Sequence, residues 1–273
     1  MIKDIAVHLT GSAEDAVRLH YADDLARAVG AHVTGLYAHV LPDIISYTDP
    51  SGSAFLRELI EQSDKEANLV ASRLAEQLAA LDAQTELRRL DVFPGEVGKA
   101  LAGEARMADL FIGTRPYGNP VRPARIEEAV LFESGRPCLF LPPQAVLDAR
   151  MSTVLVAWKN TREAARAVAE AMPILERATT VVVVMVSDGD GTLGGEPGGE
   201  IGRYLSRHGI KAEIRTASGV PDIATALLRE AHAQAADLIV MGGYGHSRLR
   251  ELVLGGATRD VLANAPIPVL MAH

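Results

Sequence analysis

Apolar residues along this chain follow two alternating patterns. Short runs such as "IAVHL" and "VVVVMV" are nearly continuous, as expected of strands buried on both faces. Between them lie longer stretches whose apolar positions recur at helical spacing. The alternation predicts parallel strands joined by crossover helices, an α/β fold.

The series occurs twice. "IAVHLTGSAEDAVRLHYADDLARAVGAHVTGLYA" and "VLVAWKNTREAARAVAEAMPILERATTVVVVMVS" each read as strand, loop, amphipathic helix and strand, with Ile5 and Val154 offset by 149 residues and Val33 and Val181 by 148. "PGEVGKALAGEARMADLFIGT" and "VPDIATALLREAHAQAADLIVMGG" follow later in each half, with Asp109 and Asp237 offset by 128. The offset shortens because the first half carries an extra helical stretch, "SGSAFLRELIEQSDKEANLVASRLAEQLAALDA", where the second has the loop "SDGDGTLGGEPGGE" and a shorter helix. Each half closes on a proline-flanked strand, "RPCLFLPP" and "APIPVLMAH". The expectation is two tandem domains, 1–145 and 151–273, each an open five-stranded, mostly parallel sheet with helices on both faces. Ligands of such sheets bind beyond the carboxyl ends of the strands, where strand order reverses. The loops after the first and fourth strands of each half are therefore the places to look.

Composition narrows the function classes. A net charge of −8 over 273 residues, with acids and bases mixed, leaves no basic stripe to neutralise a nucleic-acid backbone. No apolar run is long enough to span a bilayer, and "MIKDIAVHLTG" reads as a first strand and not as a secretory signal, so a cytoplasmic location is expected. The single cysteine, Cys138, excludes an internal disulfide and a thiolate metal cage, and its place in "GRPCLFLPP" makes it a core thiol. The histidines form no i, i+4 pair and no His-Glu-x-x-His run, so no metal site is expected, and most read as surface or hydrogen-bonded core groups. Glu127-Glu128 and Asp23-Asp24 are consecutive and read as solvated helix faces.

The most suggestive stretch is "GGYGHSRLRELVLGGATRD", Gly242 to Asp260, after the fourth strand of the second half. Its glycines fit either tight turns or a loop whose backbone N–H groups approach a phosphate. A Walker loop would end in Gly-Lys-Ser/Thr, and here Gly255-Gly256-Ala257 has no lysine. A dinucleotide fingerprint would follow the first strand and not the fourth. "GHSRL" departs from the Gly-x-Ser-x-Gly nucleophile elbow at Leu249, so Ser247 reads as a helix cap, and nothing in the spacing assembles His246 and Asp260 into its base and orienter.

The spacing Gly242, two residues, Gly245, nine residues, Gly255 resembles the nucleotide-binding signature of the universal stress protein family, Gly-x2-Gly-x9-Gly followed by Ser or Thr. "MGGYGHSRLRELVLGGATRDVLANAPIPVLMAH" is similar to that family through its final strand, and "VLVAWKNTREAARAVAEA" to its first strand and helix. Read as a tandem of two such domains, the resemblance covers essentially the whole chain. It implies a Rossmann-like fold of the adenine nucleotide alpha hydrolase type. It also implies an adenine nucleotide, ATP with or without Mg2+, held by the second half. Carried over by position, the site comprises Ala157, Trp158 and Lys159 after the first strand, Val186 near the end of the second, and Met241, Gly242, Gly245, Gly255, Gly256, Ala257 and Thr258.

Three departures bear on that expectation. Gly256 stands where the signature has Ser or Thr, so a hydroxyl is lost, with Thr258 as a substitute. Lys159 stands where binders commonly carry Asp; an ammonium accepts no hydrogen bond but can pair with a phosphate. In the first half only Gly113 matches the signature, Pro116, Pro120 and Pro123 remove backbone donors, and Thr10 takes the place of the Asp. The first half is therefore expected to carry a degenerate site and to serve as a structural partner. The resemblance implies a stress-response or regulatory role; no catalytic residues and at most a slow ATPase are expected, because these loops offer no general base or metal-holding carboxylate, the alternative being a nucleotide-free interaction scaffold of the same fold. It further implies pairing of the halves through their final strands as an intrachain pseudo-dimer, with a homodimer of chains as a further option and the protein partner unknown.

Overall fold

The computed structural model describes residues 1–43, 52–117, 125–145, 150–186, 198–218, 222–243 and 256–273. In the first half, β1 (Asp4–Leu9), α1 (Glu14–Val29), β2 (His32–Val40), α2 (Gly52–Ala79), β3 (Gln84–Val92), α3 (Val97–Ala105), β4 (Leu110–Thr114), α4 (Arg125–Glu133) and β5 (Cys138–Leu141) follow in order. The second half continues with β6 (Thr153–Ala157), α5 (Arg162–Leu175), β7 (Thr180–Val186), α6 (Gly199–Arg207), β8 (Ala212–Ala217), α7 (Ile223–Ala233), β9 (Leu238–Gly242), α8 (Ala257–Asn264) and β10 (Val269–Ala272).

All ten strands form one sheet in the order β3-β2-β1-β4-β5-β10-β9-β6-β7-β8. Within each half the strands are parallel, and the order reverses between the first and fourth strands, β1 beside β4 and β6 beside β9. The halves meet in a single antiparallel ladder, Val269 opposite Phe140, Leu270 opposite Leu139 and Met271 opposite Cys138. Thus "PCLFLPP" does lie beside "PVLMAH", and the two five-stranded sheets are continuous.

Local sequence accounts for the elements. "VVVV" in β7 is β-branched and fully or almost fully buried, each side chain contributing about 1.5–3 kcal/mol through burial. Helix α1 stops at Gly30, whose left-handed φ of 67° lets the N–H groups of Gly30 and Ala31 both return to Ala26 O. Helix α5 starts at Thr161, whose side chain accepts from Ala164 N, and α7 at Asp222, which accepts from Thr225 N. One core lies under α1, α2, α5 and α6, the other under α3, α4, α7 and α8, on opposite faces of the sheet.

The repeat extends to side-chain detail. Asp109 accepts hydrogen bonds from the Lys3 and Asp4 N–H groups, and Asp237 accepts them from Ser152 and Thr153. Each aspartate fastens the start of its half's first strand to the turn before the fourth. The reading of Glu127 as solvated is corrected: Glu127 is fully buried under the sheet, 3.6 Å from the Nδ1 of buried His8. Consecutive residues on a helix face different directions, and the same rule that separates Glu127 from Glu128 sends Glu127 inward. Cys138 is buried, and burial, followed by the Glu127 carboxylate, pushes its thiol far above the usual range. Among the described residues, no helix is long and apolar enough to cross a membrane.

Candidate functional site

Two crevices sit at the carboxyl ends of the sheet where strand order reverses, and the residue-by-residue repeat allows them to be compared. The first lies at the ends of β1 and β4. There the Asp15 carboxylate, in the first turn of α1, accepts from Thr10 N at 3.0 Å and from Gly11 N at 2.7 Å. Arg18 closes on it at 2.5 Å and also donates to Thr10 Oγ1 at 2.9 Å; both Asp15 and Arg18 are essentially inaccessible. Across the crevice, Thr114 Oγ1 at the end of β4 donates to Glu14 Oε2 at 3.0 Å. The backbone donors of the β1 loop are thus occupied by an anion the chain supplies itself.

In the second crevice the 149-residue offset puts Ala164 where the first half has Asp15, Ala167 for Arg18, and Lys159 for Thr10. Trp158 donates its backbone N–H to Val184 O at 2.9 Å and packs half-buried against the core beneath α5, while Lys159 is exposed. Val186, at the end of β7, packs partly buried against the opposite core, as does Ala157. Sequence left Trp158 and Val186 open between core packing and ligand contact; in the structure each packs partly buried against one of the two cores.

Met241 is buried and pairs with Ala157 across β6 and β9. Gly242 is fixed by close packing: a Cβ there would stand 2.5 Å from Ala164 N and 2.7 Å from the Glu163 carbonyl carbon. The amino end of α5 therefore rests against the end of β9, and no side chain fits between them. Gly243 is held on both sides, its N–H donating to Ala272 O at 2.8 Å and its carbonyl accepting from His273 Nδ1 at 3.0 Å. The His273 ring packs edge-on against Phe132 of the first half at 4.8 Å. The glycine stretch thus leaves the sheet from an anchored point. Gly245, His246, Ser247 and Gly255 lie outside the described residues.

At the far side of that stretch, Gly256 is the N-cap of α8 in an extended conformation, with no side-chain cap. Ala257 and Thr258 begin the helix, Thr258 is buried, and Asp260 lies in the first turn. The 131-residue spacing between Cys138 and Val269 also relates Glu127 to Thr258. The first half therefore has a buried carboxylate where the second has a hydroxyl. Helix α8 is braced from the first half: Arg115 Nη1 donates to Ala265 O at 2.7 Å beyond its carboxyl end, and Arg259 lies 5.4 Å over the Tyr117 ring.

Glu163 opens α5 and is buried. A hydrogen bond from its own backbone N–H, then Arg162 at 3.0 Å and the nearby His273, hold its carboxyl below the usual range despite desolvation. Sequence reasoning passed over Glu163, Asp15 and Arg18. The only sequence signal for the latter two is their replacement by alanine at the matching positions of the second half.

These features define an open, doubly wound α/β protein whose first crevice is filled by its own side chains, with Ala164, Ala167, Gly242 and Thr258 at the matching positions of the second. The model of the universal stress protein family matches residues 151–273. A universal stress protein of Thermus aquaticus is 33% identical over 134 residues, 44% of this chain and 98% of that protein. One from Synechocystis is 40% identical over 68 residues, a stretch that is 25% of this chain and only 23% of the relative. The crystal structure of a universal stress protein from Archaeoglobus fulgidus shares the fold over 98% of this chain and 95% of that one, with a TM-score of 0.74 at 20% identity. The chain belongs to the universal stress protein family.

Proposed function

We propose that the second half binds an adenine nucleotide, ATP by preference, and that the chain works as a regulatory stress-response module of two tandem universal stress protein domains, 1–145 and 151–273. The observation that carries this reading is the contrast at matched positions: Asp15, Arg18 and Glu127 in the first crevice against Ala164, Ala167 and Thr258 in the second. At these positions the second half carries two alanines and a hydroxyl, so no ionic side chain of its own competes there with an external anion.

The residues present suit such a ligand. Gly242, Gly245, Gly255 and Gly256 would offer backbone N–H groups to the phosphates without a Cβ in the way, together with Ala257 and Thr258. Lys159 would pair with a phosphate as a point charge. Ala157, Trp158, Val186 and Met241 supply the apolar edge for the base. Asp260 and Glu163 work against a bare polyanion, so binding with Mg2+ fits this arrangement better than binding without it. No side chain of this set is placed as a general base, and hydrolysis is at most slow.

The alternative is a nucleotide-free interaction protein, favoured by the missing cap side chain at Gly256 and by Lys159 where an acid is expected. Native mass spectrometry of the full chain, before and after addition of MgATP, separates the two. Retained nucleotide supports the first reading, and no adduct under excess ATP overturns it.

A further inference from the structure

Away from both crevices, at the outer end of the first half, three elements bring together a serine, a histidine and an aspartate. Ser63 lies on α2, His39 near the end of β2 and Asp91 near the end of β3. The His39 ring is buried, with Nδ1 2.7 Å from Asp91 Oδ1 and Nε2 2.9 Å from Ser63 Oγ. Arg89 flanks the aspartate, Nε at 2.9 Å and Nη2 at 2.8 Å from Oδ1, and is itself held by Asp64 at 2.5 Å and Asn68 at 2.7 Å.

The tautomer follows from these contacts. Arg89 Nη2 also approaches His39 Nδ1 at 3.0 Å, but a lone pair on Nδ1 would face the Asp91 carboxylate at 2.7 Å. The shorter contact requires Nδ1–H donating to Asp91, and Arg89 has acceptors on Asp91, Asp64 and Asn68 without the ring. Nε2 is then the acceptor for the Ser63 hydroxyl. Burial opposes ionisation of Asp91, but hydrogen bonds from His39 and Arg89 outweigh it and hold the carboxyl below its ordinary range. Arg89, Asp64 and Asp91 together carry one net negative charge beside the ring. An imidazolium formed there by proton transfer is matched by an adjacent anion.

We infer that Ser63, His39 and Asp91 form a nucleophile, base and positioning group, and that Ser63 is a site of acylation by activated acyl esters. Ser63 is only half-buried, which leaves part of the residue exposed to solvent. In the step itself, Ser63 Oγ forms a bond to the acyl carbon as its proton passes to His39 Nε2. The ester C–O bond breaks, and the departing oxygen takes up that proton or leaves as the anion while His39 releases it to water. Asp91 touches neither reactant and acts by orienting the ring. The arrangement concerns the hydroxyl alone, so a covalent adduct is the expected product and not rapid turnover.

The test uses the full chain with p-nitrophenyl acetate and, separately, a fluorophosphonate probe, with peptide mapping to locate the adduct. Expected are one acetyl and one phosphonyl group on Ser63, both absent in Ser63→Ala, and a rate lowered by about 100-fold in His39→Gln. Asp91→Asn should displace the pH profile of acylation, with Asp91→Glu restoring part of it. If His39→Gln does not fold by circular dichroism, the wild-type profile decides. A rate that rises across the imidazole range supports the relay, and a rate that only follows hydroxide overturns it. No adduct on Ser63 in the folded chain, or equal labelling in His39→Gln, overturns the inference and leaves a hydrogen-bonded clamp between α2 and the sheet.

Discussion

At the carboxyl end of β1 the loop N–H groups meet the Asp15 carboxylate; the matching position of the second half is Ala164. The two halves share strand order, the aspartate fastening the first strand to the fourth, and the helix at each strand end. They differ in whether the anion is built in. A fold whose strand ends attract negative charge can fill that place with its own residue and gain stability, or leave it for a ligand. The first half of this chain does the former, and the proposed nucleotide site of the second half would be the latter.

The difference predicts unequal responses to mutation. Removing Arg18 alone should cost the most, about 3–5 kcal/mol by urea denaturation, because the buried Asp15 charge loses its cation. The pair Asp15→Ala with Arg18→Ala, which copies the second half, should cost clearly less than Arg18→Ala alone. An equal or larger loss from the double variant would mean that the two crevices are not interchangeable frames.

A second test lies at the strand ends. Gly242→Ala puts a methyl group against the backbone of α5 and should destabilise the chain by about 1–3 kcal/mol. At the matching position of the first half Thr114 already carries a side chain, and Thr114→Ala should cost about 1 kcal/mol, the loss of one hydrogen bond to Glu14. A neutral Gly242→Ala would show that α5 moves freely away from β9.

The smallest effect concerns pH. Glu163 titrates below its ordinary value in the folded chain. Its contribution to stability is therefore complete only well above the unfolded value of about 4.3, where the unfolded carboxyl is also ionised, and is lost as pH falls through the lower folded value. Glu163→Gln should flatten that acid-side decline in urea midpoints, and an unchanged slope would remove Glu163 from the account.

Much of the frame was legible from periodicity. The repeat at Ile5 and Val154 and the long helix of the first half follow from apolar spacing, which is a local property, whereas the pairing of the last strands was implied by the family resemblance. Side-chain placement across the sheet was less legible. Glu127 looked like half of a solvated pair because burial depends on which helix face meets the sheet, and that is set by the strands beneath it. Ser63, His39 and Asp91 are 24 and 52 residues apart in pairs joined through His39, so no motif could reveal them. The self-supplied anion was hidden for the opposite reason: Asp15 and Arg18 three residues apart on a helix resemble an ordinary surface pair until burial is known.

The contrast between a first crevice filled by Asp15 and Arg18 and a proposed nucleotide site in the second can be counted directly. Isothermal titration of MgATP into the full chain should give one site per chain. Two sites would contradict the occupied first crevice, and none would contradict the nucleotide site of the second half.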